Sequence, residues 1–385
     1  MEIEKEISKQ GSLKEIGLLF FKLGCIAFGG PAAHISMMDD EVVTRRKWLS
    51  RDHFLDLVGA TNLIPGPNST EMTMHVGFER GGWRGLFLAG SAFIFPAATI
   101  TLILAWLYVQ YGELPQVQPL LWGIKPAVLV IILSALWKLG RKAIKSWQLA
   151  VLGAVVFTAV MLGIDEVLAL LMGGLLGMLI WGLWRKWRGL SMLVWWPGVL
   201  QLDFSLQNDT TVSLWKLALF FLKVGVTLYG SGYVLVAYLQ GGLVEQLGWL
   251  NQTQLLDAIA IGQFTPGPVL TTATFVGYLV AGFPGAIIAT IAIFLPSFLF
   301  VLILNPLIPK MRQSNWLSAF LDAVNVASVG LMTAVLLLLA RGTLVDWQSI
   351  LIMLVTAVAI FRFKLSSLWV VLLAALLGFV LQWAT

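Results

Sequence analysis

The chain has 385 residues, 58% hydrophobic and only 12% charged, with a mean hydropathy of +0.87, whereas soluble domains carry about 25% charged residues. This balance excludes a soluble globular domain and implies a polytopic helical membrane protein. The net charge of +5 fits basic cytoplasmic loops rather than nucleic-acid binding. The single cysteine, Cys25, excludes disulfides and cysteine metal clusters, and three scattered histidines argue against a metal site.

Residues 1–15 alternate Glu and Lys and read as an interfacial helix. Apolar runs of roughly the 17–25 residues that a membrane helix needs are expected over 16–33, 85–110, 120–137, 148–163 and 167–184. The first run carries Lys22 and leads into Gly29-Gly30-Pro31, so no cleavable signal is expected. Segment 54–78 is apolar but broken by Pro65-Gly66-Pro67. Each proline removes a backbone donor and disfavours a helical residue before it, and Gly66 permits a sharp turn. Asn68 then reads as the cap of a new helix, with Glu71 in the capping-box position. After a polar stretch near 185–212 the pattern returns. Runs are expected over 214–240, 284–305, 317–340, 347–361 and 366–383, with 255–280 broken by Pro266-Gly267-Pro268.

The two halves are a repeat. Phe21-Lys22-Leu23-Gly24 matches Leu222-Lys223-Val224-Gly225, Trp48-Leu49 matches Trp249-Leu250, and Asp56 matches Asp257. The Pro-Gly-Pro triplets match at the same offset of 201 residues. The expected units are a first repeat over 1–190, a cytoplasmic linker over 191–212 and a second repeat over 213–385.

Loop charge sets the topology. If both broken segments enter and leave on one side, basic loops at Arg45–Arg51, Arg80–Arg84, Lys138–Lys145, Arg185–Arg188, Lys310–Arg312 and Arg362–Lys364 share a face. Only Lys5, Lys9, Lys14 and Arg341 then lie opposite. This reading gives an all-α fold of two inverted-topology repeats, each with about five transmembrane helices plus one re-entrant broken-helix hairpin. An odd number of crossings per half forces the inversion. Each hairpin arm of about ten residues spans about 15 Å, half of a ~30 Å hydrocarbon core, so the turns meet near the midplane.

Broken helices at matching places in two repeats point to a transport site. Each turn aims a helix N-terminus at the membrane centre, where free N–H groups and the positive dipole end attract anions. Asn62, Asn68, Ser69 and Thr70 in the first half, and Gln263, Thr265, Thr271 and Thr272 in the second, are the candidate side-chain partners beside Gly66 and Gly267. Lys22, Lys125 and Lys223 lie within or near apolar runs and need a cavity or a partner, so they are candidates for the anion's counter-charge. Gly29 and Gly30, mirrored by Gly230-Ser231-Gly232, are further candidates as a second backbone irregularity. Glu71 either caps its helix or carries a proton, and His75, Asp56 and Asp257 are the other titratable candidates for coupling. No ATP-binding glycine-rich loop and no Ser/His or paired-Asp constellation is present, which argues against an enzyme or a pump with its own fuel.

Phe28-Gly29-Gly30-Pro31, the stretch from Asp56 to Pro67, Gly77-Phe78-Glu79-Arg80-Gly81-Gly82, and Gln263-Phe264-Thr265-Pro266-Gly267-Pro268 resemble the chromate ion transporter family in its long, two-domain form. The resemblance implies a multi-pass bacterial inner-membrane protein that exports chromate and confers chromate resistance. It also implies drive from the membrane potential or proton gradient, with sulfate as the natural look-alike; no cofactor is expected, because no cofactor motif is present. A homodimer is left open, as is an oxyanion channel or importer.

Overall fold

The computed structural model describes residues 12–186, 212–230, 232–304 and 314–383, and every element in them is helical. Most of the expected 1–15 helix and of the 191–212 linker, together with Ser231, Lys5, Lys9, Arg188, Lys310 and Arg312, lie outside the described residues. The first helix, α1 (Leu13–Ile26), has 14 residues and is about 21 Å long, short of a ~30 Å core. The crossing expected over 16–33 therefore stops at Ile26. Gly29 and Gly30 take φ of 104° and 79°, which no α-helix can continue through. Pro31 then starts α2 (Pro31–Met38), which runs on as a π-helical turn over Asp39–Arg45.

This returning segment lies antiparallel to α1. Lys22 pairs with Glu41 at 3.1 Å and Arg46 with Glu15 at 2.9 Å, so partner numbers fall as the chain comes back. The first apolar run is thus itself a hairpin with a glycine tip, and each half has two hairpins where one was expected. Burial alone would push the Glu41 carboxyl up. The hydrogen bond and charge of Lys22, the bond from Arg46 and the charge of Arg45 outweigh it and hold Glu41 below its ordinary value. A depressed folded-state pKa adds stability above the unfolded value, and that stability is lost as pH falls through the folded one. Glu41→Gln is therefore expected to melt earlier than wild type at neutral pH. Thermal melts of both proteins should converge at pH below the ordinary carboxylate range, and parallel curves would remove this role for Glu41.

Ser50 caps α3 (Arg51–Thr61) by accepting from the His53 N–H. The proline turn follows, then α4 (Asn68–Tyr111), which folds back on itself at Gly81 and Gly82. Gly77 and Gly85 meet there so closely that a Cβ on either would strike the other's carbonyl. The first half closes with α5 (Gln118–Ala143), α6 (Trp147–Met161) and α7 (Glu166–Lys186). The second half repeats the order. It has α8 (Leu214–Thr227), α9 (Leu235–Tyr238) with flanking 3-10 and π-helical turns, and α10 (Gln252–Phe264). After the second proline turn come α11 (Thr272–Leu304), α12 (Asn315–Thr343), α13 (Trp347–Phe361) and α14 (Ser367–Trp383). Its first run also ends early, at Thr227 rather than 240, and Gly282 at φ 62° repeats the bend at Gly82, φ 57°. Helices α4, α5, α11 and α12 are long and apolar enough to cross a membrane.

The halves interlock. Helix α1 packs on α4 and α8 packs on α11, while α4 meets α11 and α5 meets α12 across the halves. The last two helices of each half are exchanged: α6 and α7 pack on α12, and α13 and α14 pack on α5. Small residues allow the close approach, as at Gly177 against Ala323 and Gly123 against Gly378, the usual device where no water drives helices together.

Candidate functional site

The two proline turns dock reciprocally. The Gly66 N–H donates to the Leu228 carbonyl at 2.8 Å, and the Gly267 N–H donates to the Ala27 carbonyl at 2.8 Å. The two donors are 201 residues apart, as are the two acceptors. Each turn therefore inserts into the glycine-tipped break of the other half, and four non-helical segments share one locus. Pro65, Pro67, Pro266 and Pro268 are all buried there. Gly66 and Gly267 have φ of 140° and 83°, which L side chains rarely adopt. A Cβ on Gly66 would overlap Glu71 Oε1 and Ser297 Oγ, and one on Gly267 would lie 2.6 Å from the Ala97 Cβ.

Helix α4 begins without a side-chain cap because Pro67 occupies the capping position. Asn68 is consequently the first helical residue, and its Nδ2 donates to Asn62 Oδ1 at 2.9 Å instead. The capping box expected of Asn68 and Glu71 is not formed. Helix α2 also starts uncapped, after Gly30. Two helix N-termini with partial positive charge thus lie at the breaks of the first half. Ser69 and Thr70 are buried in the first turn of α4. Glu71 is fully buried and faces Ser297, yet neither its carboxyl oxygens nor the Ser297 hydroxyl make a well-formed hydrogen bond among the described residues. Tyr229, beside Leu228, lies within electrostatic reach of Glu71.

The second half presents different chemistry. The hydroxyls of Thr265, Thr271 and Thr272 donate to the carbonyls of Gly262, Pro268 and Val269, so their protons are committed to the backbone rather than to a ligand. Gln263 Oε1 accepts from the Tyr233 hydroxyl at 3.1 Å, and its buried Nε2 has no partner among the described residues. The same Tyr233 hydroxyl lies 3.9 Å from the point where a Gly30 Cβ would sit. Gly29 and Gly30 of one half and Tyr233 and Gln263 of the other thereby converge. Tyr229, Tyr233 and Ser297 were missed by sequence reasoning. Their only signal was position, next to Gly230-Ser231-Gly232 and to Pro296.

The three lysines do not gather at the turns. On α1 the buried stripe is Ile16, Leu19, Phe20 and Leu23, so helical phase turns Lys22 away, toward Glu41. Lys223 is exposed, with Asp165 at 4.0 Å. Lys125 is half-buried beside a separate cavity. Asp56 on α3 and Asn62 just past its end are exposed, whereas Asp257 is buried on α10 and accepts from the Tyr108 hydroxyl at 2.9 Å. His75 is fully buried in α4.

Comparison with known proteins follows the same two-part plan. The profile of the chromate transporter family matches residues 14–178 and 215–379. A probable chromate transport protein of Synechococcus elongatus is 34% identical over 382 residues, covering 97% of this chain and 96% of the relative. A chromate transport protein of Cupriavidus metallidurans is 33% identical over 375 residues, covering 96% and 93%. An uncharacterized transporter of Methanocaldococcus jannaschii is 30% identical over 390 residues, covering 96% and 94%. No solved structure gives a significant match. With both halves matched and the identity running the length of the chain, this protein belongs to the chromate transporter family.

Proposed function

We propose that this protein is a secondary active transporter that exports chromate, and accepts sulfate-like divalent oxyanions, by alternating access around the crossed turns. In a bacterial inner membrane this activity would confer chromate resistance. The observation that carries the reading is the reciprocal docking of Gly66 on Leu228 and Gly267 on Ala27. It brings uncapped helix ends and unpartnered polar groups to one locus built by both halves, the arrangement that anionic substrates favour in transporters. In this reading the anion contacts backbone N–H groups near Gly29, Gly30, Asn68 and Ser69, since the Gly66 N–H is taken by the Leu228 carbonyl, with Gln263 and Tyr233 opposite.

Inverted topology is supported by the course of matching helices. Lys145, just past the end of α5, pairs with Asp322 near the start of α12 at 2.7 Å. This equivalent pair, α5 and α12, therefore runs antiparallel. Arg45, Arg46 and Arg51 at the mouth of the first hairpins, with Lys145 and Arg362, mark the cytoplasmic side by charge. Alternating access is supported by an asymmetry. Asp56 on α3 is exposed, while the matching Asp257 on α10 is buried and accepts from Tyr108. An exposed carboxyl at membrane depth needs a water-filled cleft, which supports a reading with the α3 arm open and the α10 arm closed.

The test is chromate flux into proteoliposomes holding the purified chain. Saturable flux that responds to a proton gradient and is inhibited by sulfate is expected. Non-saturating flux indifferent to the gradient would replace the transporter with a channel, and no flux of either anion would overturn the reading.

A further inference from the structure

A polar cavity lies away from the crossed turns. It has a volume of about 250 Å³ and is lined by Trp122 and Lys125 of α5, Gln252 and Thr253 of α10, and Gly342 and Thr343 of α12. These residues sit at the starts of α5 and α10 and the end of α12, the ends remote from the basic loops. The only charged group in the lining is Lys125. Its ammonium makes no hydrogen bond or close ion pair among the described residues, although its charge reaches Asp257. Asp257 lies within its electrostatic reach, with Oδ2 taken by Tyr108 and a buried Oδ1 without a hydrogen-bond partner among the described residues. Lys125 thus lines an open space and lies within electrostatic reach of a buried carboxyl, with three donors and no acceptor of its own.

We propose that this cavity is a second oxyanion site, an outer station for a divalent tetrahedral oxyanion between the crossed turns and the face opposite the basic loops. It rests on the transport reading above. Lys125 supplies the charge, Thr253 a hydroxyl, and Gln252 the second N–H of an amide whose first goes to the Leu339 carbonyl at 3.3 Å. The volume is several times the ~30 Å³ share of one water, which leaves room for a dianion that keeps part of its hydration. Binding of the anion draws Lys125 from Asp257, so occupancy of this station and the packing of the α10 arm are linked.

The experiment uses the full chain in proteoliposomes, with chromate and sulfate as the anions. Lys125→Gln is expected to raise the KM for chromate about tenfold, the loss of one charged hydrogen bond, with little change in kcat. Lys125→Arg should recover most of that loss. Thr253→Val should raise KM in the same direction by a smaller factor. In detergent, chromate quenching of tryptophan emission should shrink in Trp122→Phe and be reversed by sulfate. A Lys125→Gln protein that melts like wild type and keeps both wild-type KM and wild-type quenching overturns the site while leaving the transport reading standing. A wild type that carries neither anion overturns both. If Lys125→Gln does not fold, the Thr253→Val KM and the Trp122→Phe titration decide alone.

Discussion

Gly267→Ala is expected to abolish transport and to lower the melting temperature of the whole chain. The backbone there has φ of 83°, and the added Cβ would lie 2.6 Å from the Ala97 Cβ. Pro266 and Pro268 hold their own φ near −65°, so the turn has little freedom to relax. Any relaxation also draws the Gly267 N–H from the Ala27 carbonyl, which leaves buried polar groups without partners. Backbone strain of ~1–3 kcal/mol and an unmade buried hydrogen bond of ~1–3 kcal/mol act together, a sizeable part of the ~5–15 kcal/mol that holds a typical protein folded. Gly82→Ala is the control. Gly82 has φ of 57° and ψ of −151°, a conformation nearly exclusive to glycine, but nothing within 4 Å of its added Cβ, so only a conformational cost of ~1–3 kcal/mol applies, with no steric clash and no lost hydrogen bond between the halves. Wild-type chromate flux and melting in Gly267→Ala would mean that the turns do not pack as described.

Glu71→Gln is expected to leave the fold intact and to make chromate flux indifferent to a proton gradient. The substitution keeps the shape of the side chain and removes its capacity to ionise. A cap would explain the residue structurally, but α4 has no side-chain cap and the Glu71 carboxyl points instead toward Gly66 and Ser297. A fully buried carboxyl whose polar neighbour is the Ser297 hydroxyl and which no cation pairs among the described residues is costly to keep charged, and at membrane depth such groups mark proton or ion pathways. The position matching Glu71 in the second half is Thr271 or Thr272, so the second half has no carboxyl there. The measurement compares proton-driven uptake with gradient-free exchange in proteoliposomes. Uptake in Glu71→Gln that still follows the gradient would move the coupling role elsewhere, with Asp257 as the next candidate.

Much of this architecture was legible in the residues. Hydropathy located the long spans. The shared Lys, Asp and Pro-Gly-Pro located the repeat, and the prolines located both turns. The two glycine-tipped hairpins were half visible. Gly29-Gly30-Pro31 stood out as irregular, yet a hydropathy run cannot report that a chain reverses inside it when both arms are apolar. The lysines were misplaced for a related reason. Depth in the membrane can be read from position in a run, but direction depends on helical phase and on the neighbour, and Lys22 faces Glu41. The missing cap on α4 turned on one residue, since a proline at the capping position shifts the register of everything after it. The convergence of Ser297, Tyr229 and Tyr233 on the turns is a contact between halves, and no local pattern encodes it.

The exchange of terminal helices between the halves has a consequence for biosynthesis. Helices α6 and α7 bury their small-residue faces against α12, which the ribosome delivers only after the linker and four further helices. At typical translation rates of ~5–20 residues per second, the pair waits on the order of ten seconds for its partner. During that interval Gly153, Gly173 and Gly177 face lipid or the insertion machinery instead of Val326, Ala327 and Ala323. The first half can enter the membrane early, but it reaches its final packing only when the second half arrives.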